Sequence, residues 1–152
     1  MATQWTAGTT SGSVLTAATL NTIGAASVSY TPTWTATVNP AIGNGTLVGS
    51  YFQIQKLIIG EIFLVVGSTT TFGTGGYVLS LPAPPSTGYI TSWGTLLDAS
   101  AGYVSYVGVG TVGSGSNMDM RFGNAQPVWQ PTVPVTLANA DQVRIRFMYE
   151  RT

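Results

Sequence analysis

The fold is decided by the central stretch Gly43–Pro82, which reads GNGTLVGSYFQIQKLIIGEIFLVVGSTTTFGTGGYVLSLP. Its pattern predicts three strands, Leu47–Lys56, Leu57–Val66 and Tyr77–Leu81, separated by Gly-rich turns. The second of these segments has apolar residues at both odd and even positions, which is typical of a strand that is buried on both sides. A buried helix would also account for an apolar run, but the high content of Ile and Val favours a strand.

Strand patterns also flank this centre on both sides. The clearest is Gln142–Glu150, in which polar and apolar residues alternate, so that one face is expected to be buried. Pro32 interrupts a predicted strand over residues 27–38, and since Pro has no N–H to donate, this strand is expected at an edge of the sheet. Three further strands are predicted over residues 89–97, 102–112 and 117–122.

The spacing of these segments defines a fold class. About eight strands with frequent turn residues predict an all-β fold, a jelly-roll-like antiparallel β-sandwich over residues 27–152. Residues 1–26 are expected to form an N-terminal arm that contains one short helix, Val14–Ile23, with Thr16 as its N-cap. A helix of about two turns is unstable alone, so the arm is expected to dock on its own domain or on a neighbour.

Composition limits the classes of partner. Only 7% of the residues are charged and the net charge is zero, whereas binding to nucleic acid requires clustered Lys and Arg. The five basic residues are spread along the chain, so no nucleic-acid partner is expected. So few charges indicate that much of the surface is covered in an oligomer or a larger particle. The alternative is a monomer with a surface rich in Thr, Ser, Asn and Gln.

The sequence shows no pattern typical of a signal peptide or a membrane helix. The N-terminal residues have neither the basic nor the apolar region of a signal peptide. The longest apolar run, Leu57–Val66, is too short for a membrane helix and contains Glu61, so no membrane insertion is expected.

The sequence offers little material for catalysis. It contains no His and no Cys, so the commonest general base, thiolate nucleophile and metal ligands are missing. We predict no catalytic residues, no metal and no cofactor. A sugar-cleaving site would need two carboxylates about 5–10 Å apart; the chain has five, Glu61, Asp98, Asp119, Asp141 and Glu150, and this activity is kept as an alternative.

Aromatic residues are the remaining candidates for a binding site. A sugar ring could stack on exposed aromatic faces, whereas in the alternative interpretation these rings belong to the core or to a subunit interface. The candidate receptor or sugar contacts are Tyr89, Trp93, Tyr103, Tyr106 and Trp129.

The turn and strand motifs, taken in order, resemble a module of bacteriophage tail-fibre and minor tail proteins. They are Gly43-Asn44-Gly45-Thr46, the later Gly-Ser-Thr-Thr-Thr segment at residues 67–71, the strand that ends at Leu81-Pro82, and Asp141 followed by a strand that closes on Tyr149-Glu150. Members of that family commonly have Gly before the Asp, where this chain has Ala140. The resemblance implies a homotrimeric β-sandwich on the surface of a virion.

The N-terminal segment is similar to the attachment segments of phage fibre and minor tail proteins. The resemblance implies that Trp5, Leu15 and Leu20 anchor the chain to the particle. In the alternative interpretation the short helix covers one end of the sandwich.

Together these features predict a non-enzymatic virion structural protein, assembled in the host cytoplasm and displayed on the particle. Its expected partners are two further copies of itself, coat or tail proteins of the virion, and a glycan of the host surface. A tail or fibre adhesion module is favoured by the resemblance. A capsid decoration (cement) protein is the alternative, since the chain is short and has no heptad shaft. A host-side sugar-binding domain is the third.

Overall fold

The computed structural model describes residues 26–86, 90–112, 115–123 and 127–152. Nine strands form one antiparallel sheet, so the predicted all-β antiparallel fold is confirmed. The arm with Trp5, Leu15 and Leu20, together with the helix predicted over Val14–Ile23, lies outside the described residues. The strands are β1 (Val28–Tyr30), β2 (Trp34–Thr35), β3 (Thr46–Ile54), β4 (Leu57–Val65), β5 (Val78–Ser80), β6 (Thr91–Asp98), β7 (Val104–Val112), β8 (Asn117–Phe122) and β9 (Gln142–Glu150).

The two edges of the sheet meet because the chain joins them directly. In the order β1-β3-β4-β9-β6-β7-β8-β5-β2, the two edge strands are the first two in sequence. Only residues 31–33 separate them, so Tyr30 and Trp34 are at most about 14 Å apart. Nine flat strands would extend about 38 Å. The sheet therefore curls, and the Tyr30 hydroxyl of β1 donates to the carbonyl of Ser80 in β5 at 3.5 Å across the junction.

The curled sheet encloses the core on its inner face. Trp129 enters this core from the segment between β8 and β9. Its ring stacks on Trp34 with centroids 5.9 Å apart and meets the edge of Tyr77 at 4.7 Å. Such aromatic pairs contribute about 0.5–1.5 kcal/mol beyond the burial of their area. The other buried hydrophobic residues are Ile58, Ile62, Leu64, Val66, Leu79, Leu81, Leu96, Met118, Met120, Phe122, Leu137, Val143, Ile145, Phe147 and Tyr149.

The structure divides the predicted first strand in two. Residues 27–38 form β1 and β2, which lie at opposite edges of the sheet, so the prediction of one strand is wrong. Pro32 lies between them and cannot donate to a ladder, which is why neither strand continues through it. The predicted edge position is confirmed for both pieces.

Two other strand predictions have different outcomes. Strand β9 has the predicted bounds and alternation, with Val143 and Ile145 buried. In β4, by contrast, burial on both faces was predicted, and the structure buries only the inner face. Ile58 is fully buried and the neighbouring Ile59 is 41% exposed. This part of the prediction is wrong because the curled sheet encloses the core on its inner side. Among the described residues, no second layer packs against its outer side.

The two Gly-containing turns that precede β3 and follow β4 lie at the same end of this strand pair and bind each other. Thr69 donates its amide to the Asn44 side-chain oxygen at 3.0 Å, and the Asn44 amide donates to the Thr69 hydroxyl at 2.9 Å. Gly43 has a φ of +57°, and a Cβ there would lie 2.5 Å from the Thr69 carbonyl oxygen. These turns therefore form one interlocked unit that fixes where β3 begins and β4 ends.

A second turn joins three strands through a buried carboxylate. Asp141 is fully buried, and its side chain accepts hydrogen bonds from the amides of Ala99 (2.9 Å) and Ala138 (2.8 Å). Its own carbonyl accepts from the Val66 amide at 2.8 Å. The end of β4, the end of β6 and the start of β9 are therefore held together at this point. The preceding Ala140 has a left-handed φ of 71°.

We predict that Ala140→Gly stabilises the protein. A residue with a Cβ costs about 1–2 kcal/mol in the left-handed region, and Gly removes this cost. The greater conformational freedom of Gly in the unfolded chain offsets part of the gain. The free energy of unfolding in urea should therefore rise by about 0.5–1 kcal/mol. Ala138→Gly in the same turn is the control, because Ala138 is not left-handed and its free energy of unfolding should fall. A fall in both variants would contradict the strain at Ala140.

We predict that stability falls at alkaline pH. Burial raises the pKa of the Tyr149 hydroxyl to about 12, and this hydroxyl donates to the Ala83 carbonyl at 2.8 Å. Burial also raises the pKa values of Tyr30 and Tyr77. Because the unfolded chain ionises first, its tyrosines lose protons above a pH of about 10 while the folded ones keep them. The free energy of unfolding should therefore decrease between pH 10 and 12.

The matched variant for this pH effect is Tyr149→Phe. It should be less stable at neutral pH by about 1 kcal/mol, since the hydrogen bond to Ala83 is lost. It should also show a shallower loss of stability above pH 10, because one titrating group has been removed. Equal slopes in the two proteins would show that Tyr149 does not contribute.

Candidate interaction face

The aromatic residues predicted to bind sugar lie in different environments. Trp129 is fully buried, so its ring is closed to a ligand in the folded chain. Tyr106 packs partly buried against the core, whereas Tyr103 is 64% exposed in the β6–β7 turn. Trp93 is half-exposed on the opposite side of the sheet from the core, and Tyr89 lies outside the described residues. The structure therefore does not bring the four described residues together into one site.

A different surface gathers exposed apolar side chains. The outer face is defined here as the outward residues of the five adjacent strands β3, β4, β9, β6 and β7. It carries eight of the twelve large hydrophobic residues that are exposed in the described part of the chain. They are Val48, Phe52, Ile54, Ile59, Trp93, Val107, Val109 and Met148.

The strand register places these side chains in rows across the sheet. Phe52 is opposite Ile59, and Ile59 is opposite Met148. In the adjacent row Glu61 is opposite Arg146, and Arg146 is opposite Trp93. Side chains directly opposite each other in an antiparallel pair are in contact range. An apolar row therefore lies beside a row with one ion pair, and the second row continues through Trp93 to Val109 of β7.

A shallow groove runs between these two rows. It has a volume of about 330 Å³, and Phe52, Ile59, Trp93 and Met148 provide its apolar walls. The groove is open along the sheet, so a flat or complementary surface would cover it more completely than a small molecule.

Three of the four charged side chains of the outer face contact neighbours of the same chain. The Arg146 guanidinium lies 3.7 Å from a Glu61 carboxylate oxygen, and both side chains are about half-exposed. The Arg144 guanidinium carbon lies 4.8 Å above the centre of the Phe63 ring, a cation–π contact. Exposed ion pairs contribute about 0–1 kcal/mol to stability. These contacts therefore orient the two arginines along the sheet more than they stabilise the fold.

Two of the five carboxylates, Glu61 and Glu150, lie farther apart than the pair that a sugar-cleaving site needs. Glu61 is opposite Arg146, which is four residues from Glu150 along β9, or about 13 Å at about 3.3 Å per residue. That exceeds the spacing of about 5–10 Å in glycosidases. Asp98 and Asp141 are buried, and both accept hydrogen bonds from backbone amides in turns. In the described residues no group of three or more His, Cys, Asp or Glu could hold a metal ion.

No protein family, curated protein or solved structure matches this chain. The likeness to phage modules therefore rests on the turn and strand motifs of the sequence, and the role that they imply is a proposal. No helix within the described ranges is long and apolar enough to cross a membrane.

Sequence reasoning overlooked most of the outer face. The sequence of β4 already indicates this face, because Ile59 and Phe63 place large apolar side chains at outward positions of the strand. That pattern was assigned to burial within the sheet, whereas a surface that another chain covers gives the same pattern. Val107 and Val109 on β7 also indicate an apolar outer face, since Val at outward positions is unusual when a strand faces water.

We predict that Trp129 and Trp93 differ in their effect on stability. Trp129→Ala should lower the free energy of unfolding by about 3–5 kcal/mol, because it leaves a cavity among buried rings. Trp93→Ala should lower it by less than about 1 kcal/mol in the dissociated chain, because half of that side chain is already in water. Urea unfolding at several protein concentrations would measure both, since any contribution from association depends on concentration. Equal losses at high dilution would contradict these assignments.

Proposed function

We propose that this chain is a non-enzymatic structural protein of a bacteriophage virion, displayed on the particle as a homotrimeric tail or fibre adhesion module. The observation that carries the proposal is an exposed apolar sheet face in a chain with 7% charged residues. Apolar patches of this kind mark surfaces that another protein covers. Because the motifs resemble those of phage modules, we propose that a phage particle is the assembly in which this face is covered.

The motifs that carry the resemblance have architectural roles. Asn44 and Thr69 interlock two turns, and Asp141 holds three strand ends. Residues that shape turns are what a structural module needs, and they supply no chemistry to a substrate. We extend the proposal to the arrangement of the curled sheet, which in this interpretation is a jelly-roll-like sandwich.

The N-terminal arm, residues 1–26, is proposed to attach the module to the particle through Trp5, Leu15 and Leu20. Large apolar residues in an otherwise polar and Gly-rich segment favour a docking role, because burying them is worth about 1.5–3 kcal/mol each. An attached module would leave its sheet free for contacts with its own copies and with the host.

A second candidate function is a capsid decoration (cement) protein that stabilises the head shell. It is favoured by the arrangement of all nine described strands in one sheet, and the given residues contain no heptad repeat that could form a shaft. A host-side or sugar-binding role has narrower support, namely the exposed rings of Trp93 and Tyr103.

Copy number in purified particles tests the proposal. We expect the chain in phage particles that carry its gene, at a ratio to the major coat protein far below one, as measured by quantitative mass spectrometry. A ratio near one would favour the decoration protein, and absence from the particles would refute both virion roles. A full-length variant with Trp5, Leu15 and Leu20 changed to Ser should remain folded and be missing from particles. Full incorporation of that variant would refute the anchoring role of these residues.

A further inference from the structure

The outer face has the composition of a protein interface. Large aliphatic and aromatic side chains at its centre, such as Phe52, Ile59 and Trp93, are two-fifths to one-half exposed. Within the described residues these side chains face away from the core, which occupies the inner side of the sheet. Aromatic residues and Met are enriched where proteins bind one another, and Met148 completes the apolar row that Phe52 and Ile59 begin. The face therefore indicates a macromolecular partner.

Its size fits a stable interface. Five strands at about 4.8 Å spacing are about 24 Å wide, and nine residues at about 3.3 Å are about 30 Å long. The face therefore measures about 700 Å², close to the roughly 800 Å² that each partner buries in a stable complex of standard size. A smaller occupant, such as one sugar ring, would leave most of the apolar side chains in water.

Its charges fit a second copy of this chain. The face carries two acidic residues, Glu61 and Glu150, and two basic residues, Arg144 and Arg146, so its net charge is zero. Two copies of a neutral face do not repel each other, whereas a strongly charged partner would find no complement here. The Glu61–Arg146 pair forms within one chain, so burial would not leave either charge without its counter-charge.

We infer that the outer face of β3, β4, β9, β6 and β7 is the surface through which this chain binds a second copy of itself. Side chains of the two sheets interdigitate across it, with Ile59 and Trp93 at its centre. The inference rests on the proposed function, which names further copies of the chain as partners. Because the same face of both copies meets, the contact is two-fold, and it is separate from the three-fold contact of the proposed trimer.

The test compares the oligomeric state of full-length proteins by sedimentation velocity across a dilution series. The face variant is Ile59→Thr with Trp93→Thr, because Thr keeps the strand propensity while removing apolar surface. The control variant is Val38→Thr with Tyr103→Asn. Its two side chains are at least as exposed, at 56% and 64%, but lie outside the outer face, and Asn tolerates the positive φ of Tyr103.

We expect the wild type and the control to associate equally, and the face variant to dissociate at concentrations about tenfold higher or more. Circular dichroism would establish that each variant is folded. If the face variant does not fold, Val107→Thr with Val109→Thr tests the same face from β7, where both side chains are exposed. This second variant should also weaken association.

Two outcomes would overturn the inference. One is a wild-type chain that stays monomeric throughout the series, as expected if another part of the chain or a different protein covers the face. The other is an oligomer whose dissociation is unchanged in the folded face variants. The second outcome leaves the proposed virion role intact, because copy number in particles does not depend on which face is used. Absence from particles would refute the virion role without affecting the assigned face.

Discussion

The short link between the two edge strands is the constraint on which the structure depends. Residues 31–33 connect β1 to β2, and these strands lie at opposite ends of a nine-stranded order. A link of that length is compatible only with a sheet that curls until its edges meet. Curling gives the sheet an enclosed inner face, and Trp129 is buried there against Trp34 and Tyr77. Pro32, inside the link, ends one edge strand before the other begins.

A curled single sheet has only one side that it can bury by itself. The inner side chains of β4 and β9, such as Ile62 and Ile145, are fully buried, while Ile59 and Met148 on the outer side remain about two-fifths exposed. In a soluble monomer the outer positions of such strands are usually polar. In this chain many of them, such as Ile59, Phe63 and Met148, are apolar, and the outer face has no net charge. This is the composition of a surface that another protein covers. The curled architecture thus connects the sequence composition to the proposed role in assembly.

The turn motifs explain how a resemblance can exist when no whole-chain match does. Asn44, Thr69 and Asp141 act through hydrogen bonds to turns, and each depends on a particular residue at a particular position. Strand residues are interchangeable among apolar types as long as volume and alternation are preserved. Turn chemistry can therefore remain recognisable while strands diverge. It indicates an architecture, and the proposed function rests also on the exposed apolar surface.

The sequence alone determined the all-β class, the bounds of β8 and β9, and the edge position of the strands beside Pro32. These features depend on local periodicity and on the missing Pro N–H, both of which can be read residue by residue. Only the tertiary structure decided the strand order, the burial of Trp129 and the exposure of Ile59 and Trp93. Periodicity shows that a strand has two faces, but pairing between distant segments decides which of them is covered. An apolar outer face and a buried one have the same pattern until the sheet is assembled.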